Sequence, residues 1–339
     1  MLKIIVKRVG FLMVVLLLVS VATFLMARVV PGDPAQVIAG PHASAETVQA
    51  IRHQMGLDQP LPVQYGKYVA GLTHGDLGIS TATQRPVAED LLTFFPASLE
   101  LVFYSFVIAL VIGVPLGIIS AVKRESKVDY VARVISIGGL SLPTFWFGLI
   151  LILVFYASLG LLPSSGRLAS TLPPPPHITG LYTVDSVLTG YWATFADAVK
   201  HLVLPVIALS YVQLAMIVRQ LRSSMIDALS QDYVRTARAC GLSSWTVIMR
   251  FGLRNALVPM VTVVAVSFGS LLGGAVITET VFGWPGMGNY VVHSIQSLDF
   301  PAIMGFTIVI AVVYVLINLL ADLINLALNP VIRQKAPSL

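Results

Sequence analysis

LVFYSFVIALVIGVPLGIISAV, residues 101 to 122, runs for 22 positions without a charge and is followed at once by Lys123, Arg124, Glu125, Ser126 and Lys127. A helix rising about 1.5 Å per residue would reach about 33 Å over this run, close to the thickness of a bilayer's hydrocarbon core. Five further uncharged runs surround it: Val9 to Ala27, Val134 to Leu162, Leu202 to Val218, Asn255 to Thr278 and Phe300 to Ala321. Of the 339 residues 56% are hydrophobic and 11% charged, whereas soluble domains carry about 25% charged residues. The chain is therefore predicted to be an all-α integral membrane protein with six transmembrane helices. A seventh uncharged run, Thr280 to Leu298, is interrupted by Gly283, Pro285, Gly286 and Gly288. It is expected to form a loop dipping into the membrane edge against protein, because irregular backbone facing lipid leaves amides unsatisfied.

Segments between spans alternate sides, so Lys and Arg test the orientation. One set holds Lys3, Lys7, Arg8, Lys123, Arg124, Lys127, Arg133, Arg219, Arg222, Arg235, Arg238, Arg250, Arg254, Arg333 and Lys335. The other, spread over much longer loops, holds only Arg28, Arg52, Lys67, Arg85, Arg167 and Lys200. Both termini are thus expected in the cytoplasm, and the net charge of +5 reflects this asymmetry rather than nucleic-acid binding. The first apolar run is longer than a signal-peptide core and no Ala-x-Ala site follows it, so it is expected to remain as the first span. A single cysteine, Cys240, excludes an internal disulfide, and the six scattered histidines lack metal-ligand spacing.

Along the chain these readings give a cytoplasmic N-terminus and first span (1–30), an extracytoplasmic segment (31–98), a core with five spans (99–326) and a cytoplasmic tail (327–339). Turns are expected at Pro31-Gly32-Asp33-Pro34 and Gly75-Asp76-Leu77-Gly78, with helices near Ala45 to Met55 and Val63 to Leu72. Pro173 to Pro176 permits only extended backbone. Within the core, the cytoplasmic loop 219–254 is the most informative segment. Ser230 is the expected N-cap of a short helix from Gln231 to Cys240, Asp232 sits in its first turn, and Gly241 stands where a left-handed C-terminal glycine belongs. Ser243 or Ser244 then caps a second helix through Trp245, Val247, Ile248 and Phe251. Two short helices joined at a glycine make a rigid protrusion suited to touching another protein.

On these residues the chain resembles the transmembrane permease subunits of bacterial ABC importers, in the first-permease type of the dipeptide/oligopeptide branch. The general importer signature is Glu-Ala-Ala, three residues, Gly, nine residues, then Ile-x-Leu-Pro. Arg235-Thr236-Ala237, Gly241 and Phe251-Gly252-Leu253-Arg254 occupy that frame here, without its Glu and Pro. Asp232 to Ala239, Gly241-Leu242 and Leu253-Arg254-Asn255-Ala256 match the form peptide-type permeases use. The resemblance extends through Pro31 to Pro34, Gly75 to Gly78, Ser141-Leu142-Pro143-Thr144-Phe145-Trp146, Gly274 to Val276, Glu279 to Phe282, and Trp284 to Gly288. One departure is Val331, where the family commonly has Arg.

The resemblance implies the type I ABC importer permease fold in the bacterial inner membrane. It also implies a heterodimer with a second, homologous permease, two cytoplasmic ABC ATPases that hold ATP and magnesium, and an extracytoplasmic substrate-binding protein. It assigns ATPase coupling to Tyr233, Arg235, Thr236, Ala237, Arg238, Gly241 and Leu242; Arg235 and Arg238 flank the contact, while Tyr233, Ala237 and Leu242 enter the partner's cleft. No Gly-x4-Gly-Lys-Ser/Thr phosphate loop occurs in the chain, so no catalytic residue, cofactor or metal is assigned to it. Short peptides are the expected cargo; nickel, glutathione and oligosaccharides are carried by relatives. An ion-coupled secondary transporter is the alternative class, but it would place coupling acids mid-span and lack the hairpin.

Gly269, Ser270, Gly273 and Gly274 in the fifth span are the expected pathway residues, since varied side chains need width without strong binding. Glu279, Trp284, Pro285 and Gly286 are expected to form an extracytoplasmic gate or docking loop. Asn318, Asp322 and Asn325 share one helix face near the cytoplasmic end, where packing is favoured over a substrate role. Gly113, Pro115 and Gly117 either kink the second span or let it pack closely.

Overall fold

The computed structural model describes residues 2–29, 34–40, 43–54 and 56–328. The expected turn at Pro31 to Asp33 and the tail with Val331 lie outside these residues, as do the side chains of Ser270 and Asn325. In chain order the helices are α1 (Leu2–Val29), α2 (Pro34–Ala39), α3 (Ala45–Gln54), α4 (Leu61–Thr73), α5 (Val87–Val122), α6 (Lys127–Ser141) and α7 (Thr144–Leu151). There follow α8 (Tyr182–Thr189), α9 (Trp192–Leu229), α10 (Asp232–Ala239), α11 (Ser244–Thr246), α12 (Arg254–Val281), α13 (Met287–Gln296) and α14 (Phe300–Leu328). A π-helical stretch, Ile152–Ser158, extends α7, and another, Val247–Leu253, joins α11 to α12. Among the described residues, β-pairing is limited to one isolated bridge between Ile79 and Pro86.

Among the described residues five helices are long and apolar enough to cross a membrane, and six if α6 and the extended α7 count as one broken span. The two halves of that span meet at 108°, so the third predicted run is not a straight helix. Pro143 is the cause. Its ring excludes the preceding residue from helical backbone, and Leu142 is extended at φ −90°, ψ 126°. The run Thr280 to Leu298 also differs from expectation: α12 continues to Val281, and after a short turn the chain forms α13 instead of a loop. Met287, Tyr290, Val291 and Ser294 bury one face of α13 at helical spacing, a pattern obscured in the sequence by the Gly and Pro just before it.

The chain forms two compact units. The larger comprises Ala97–Pro285 and, of the described residues after it, those from Leu316 to Leu328. At its centre lies α9, whose most apolar stretch is 72% buried, with α6, α7 and α12 packed against it. Small residues set the close approaches. A methyl placed on Gly113 or Gly117 of α5 would come within 3.0 Å of Ile217 or 3.1 Å of Leu221. One on Gly139 of α6 would lie 2.6 Å from the Ala215 methyl. Close packing is thus the role of these glycines, as expected where lipid supplies no hydrophobic drive between helices. At the end of α9 nearest the loop, Asp129 of α6 is fully buried and accepts bonds from Arg222 Nε at 2.6 Å and Arg222 Nη2 at 2.9 Å. Ser120 of α5 and Arg133 donate to the same carboxylate, tying three helices together.

The smaller unit comprises Leu2–Pro96 and Gly286–Val315. Helices α3 and α4 occupy the two stretches expected to be helical. Its core gathers Val87, Leu91, Met287, Tyr290 and Ala302, and Phe24 of α1 packs against Tyr65 and Tyr68 of α4.

Candidate functional site

The segment that follows α9 is built as a small object with its own core. Ser230 closes α9 and donates to the Asp227 carbonyl, so it is not the N-cap of the next helix; extended Gln231 takes that position without a side-chain bond. Eight residues later α10 ends at Ala239, and the chain turns at Gly241, whose φ is +76°. There Leu242 N–H donates to the Ala237 carbonyl at 3.3 Å and Gly241 N–H to the Arg238 carbonyl at 3.0 Å, the paired bonds of a Schellman ending. Ser243 then caps α11 by accepting from Thr246 N–H. Val234, Ala237 and Val247 pack beneath with Leu229 and Phe251.

This core corrects one expectation. Ala237 is 6% exposed and faces inward, so its methyl holds the loop together and does not present itself to a partner. Outward stand Tyr233, Arg235, Thr236, Arg238 and Leu242. Trp245 joins them at 70% exposure; the sequence reading placed it in the second helix without an outward role. Arg235 lies 3.9 Å from Asp232, but both are almost fully exposed, and such a pair contributes little and leaves the guanidinium available.

The turn after α12 is corrected more extensively. Trp284 is 1% exposed and donates from Nε1 to the Ala97 carbonyl at 2.9 Å, while Glu279 is fully buried and accepts from Ser98 Oγ. Neither offers a docking surface in this structure. Pro285 is exposed and Gly286 buried. Beside them Arg167 pairs with buried Glu100 and lies 3.7 Å from the Tyr182 ring centroid and 5.6 Å from that of Trp284. Glu100 also accepts from Thr183 N–H and hydroxyl. Next to this lock, burial alone would raise the Asp185 carboxyl. Bonds from the Thr179 hydroxyl and from the N–H groups of Thr179, Ile178 and Gly180 outweigh it and hold the group below the ordinary aspartate value.

Of the expected pathway residues, Gly273 looks into open space, and Gly269 shares its helical face. Gly274 does not: its missing side chain faces Leu209 of α9 at 3.7 Å, a packing contact. Asn318 and Asp322 are half-buried one turn apart on α14. Among the described residues no cluster of three or more His, Cys, Asp or Glu is arranged to hold a metal.

Residues 113–334 match the family of binding-protein-dependent transport system inner membrane components, and residues 1–102 match its companion N-terminal family. The chain belongs to this family. Such a component is a multi-pass protein of the bacterial inner membrane. This permease is 52% identical to a probable D,D-dipeptide transport system permease protein, DdpB of Escherichia coli (strain K12), over 92% of each chain. It is 40% identical to the dipeptide transport system permease protein DppB of the same strain, over 99% of this chain and 100% of the relative. Among solved structures, a chain of the MetNI methionine ABC transporter in inward-facing conformations aligns with TM-score 0.50 and 16% identity, covering 69% of this permease and 93% of that chain. At that identity the likeness concerns the fold, which is that of an ABC importer permease.

Proposed function

We propose that this permease is one half of the membrane channel of an ATP-driven importer for short peptides, paired with a second, homologous permease. Two cytoplasmic ABC ATPases hold ATP and magnesium, and an extracytoplasmic binding protein delivers the peptide. Both termini and the loop carrying α10 face the cytoplasm in this reading, which the Lys and Arg distribution supports. The observation that carries this reading is α10 itself: a short helix fixed on its own apolar core, ended by Gly241, and presenting Tyr233, Arg235, Thr236, Arg238, Leu242 and Trp245 outward. A rigid knob of this kind transmits a push or pull. ATP closes the ATPase dimer, α10 moves with it, and the core opens toward the binding protein. The chain itself performs no hydrolysis. Peptide cargo is supported by the full-length similarity to permeases named for dipeptide transport.

The test is mass spectrometry of the ligand that co-purifies with the cognate binding protein. A di- or tripeptide is expected; a nickel ion or an oligosaccharide would remove the cargo assignment.

A further inference from the structure

Near the end of α9, Gln220, Ser223, Ser224 and Asp227 share one helix face, at spacing i, i+3, i+4 and i+7. Together with Tyr233 and, from α12, Asn255, they line an open cavity of about 400 Å³. That size lies in the range of small-molecule pockets. These residues follow the apolar run that ends at Val218, so the cavity lies at the cytoplasmic end of α9, where a solute path would reach water. Ser224 is buried and accepts from the Gln220 amide, whereas Ser223, Asp227 and Asn255 are exposed. The Asp227 carboxylate enters no ion pair among the described residues, and it is the one charged group lining the cavity. From Asn255 an exposed stripe continues up α12 through Pro259, Thr262, Val266 and Gly273, so the cavity opens onto the expected pathway face.

We infer that this cavity is the exit station of the solute path, where Asp227 receives the ammonium end of a peptide and the surrounding amides and hydroxyls bond its backbone. The inference rests on the peptide-import reading. Its chemistry is complementary to a zwitterionic solute at one end only. A single carboxylate among uncharged partners holds the solute weakly enough to let it leave.

The test uses the complete importer in nanodiscs, with Ser223→Cys or Asn255→Cys introduced into a Cys240→Ser chain. Each position is labelled with two thiosulfonates of similar size, one a trimethylammonium and one a sulfonate. Both positions should react, with the cation favoured by about threefold or more, as expected for a unit charge a few ångströms away in water. Asp227→Asn should bring that ratio to about one, Asp227→Glu should restore it, and a transported dipeptide should slow labelling. No labelling of either cysteine in any nucleotide state, or a ratio unchanged by Asp227→Asn, would overturn the inference even if peptide uptake is normal. Slowing by nickel or a sugar but not by peptide, with the charge ratio intact, would instead overturn the peptide occupant together with the proposed cargo.

Discussion

Gly241 offers a graded test of the coupling knob because its effect is confined to the backbone. Nothing lies within 4 Å of the position a Cβ would take, and the residue is exposed, so a side chain meets no neighbour. What a side chain does meet is its own carbonyl at φ +76°, a penalty of roughly 1–2 kcal/mol for an ordinary residue, less for Asn and more when β-branched. A factor of ten corresponds to about 1.4 kcal/mol, so Gly241→Ala should lower the population of the Schellman turn by about 5- to 30-fold relative to its alternatives. Gly241→Asn should lie between Ala and wild type, and Gly241→Val below Ala. Two readouts should follow this order: hydrogen-exchange protection of Leu242 N–H, which donates to Ala237, and substrate-stimulated ATP hydrolysis by the assembled importer. Membrane insertion should be unaffected. Wild-type stimulation in Gly241→Val, with exchange protection lost as expected, would show that the turn forms a local structure with no part in coupling.

Ala237→Asp places a carboxylate in the cluster of Val234, Val247, Leu229 and Phe251, and should cost about 2 kcal/mol or more and release the ATPases during purification; Ala237→Ser should be much milder. Asp129→Ala strands the guanidinium of Arg222 at the junction of α5, α6 and α9, for an expected loss of about 3–5 kcal/mol, visible as a lowered thermal midpoint in detergent. Gly139→Val should destabilise by about 1–3 kcal/mol because its Cβ would fall 2.6 Å from Ala215, whereas Gly273→Ala, with open space around it, should leave the midpoint unchanged. Asp185 is held below its ordinary value in the folded chain, so its stabilisation is complete above the unfolded aspartate value near pH 4 and fades as pH falls through the folded one. Asp185→Asn should therefore flatten the acid limb of the thermal midpoint against pH; an unchanged acid limb would show that the carboxyl is not specially held.

Sequence alone disclosed what local rules govern. The apolar runs, the helices α3 and α4, the left-handed Gly241 and a serine cap at Ser243 or Ser244 each follow from composition or from signals a few residues long; the structure selects Ser243. The misread features depend on distant partners or on the direction of a side chain. Ser230 has the chemistry of an N-cap, but α9 runs through to Leu229 and leaves it as the closing residue. Ala237 is equally compatible with an inward or an outward face until Val247 and Phe251 fold back beneath it. Glu279 and Trp284 carry conspicuous side chains in a motif, yet Ser98 and the Ala97 carbonyl, far upstream, draw both into the interior. Arg222 and Asp129, 93 residues apart, carry no sequence signal of their pairing. The polar face of α9 was available at i, i+3, i+4 and i+7, but the span was read by its hydrophobicity, which ends before that face begins.

Uptake into proteoliposomes tests whether this chain is a peptide permease powered from its cytoplasmic loop. The chain would be reconstituted with its second permease, ATPases and binding protein, and supplied with a labelled dipeptide. Accumulation should require ATP and the binding protein, be lost in Gly241→Val, and be absent for the chain alone under a proton or sodium gradient. Accumulation by the chain alone under such a gradient, without ATP, would instead make it an ion-coupled transporter.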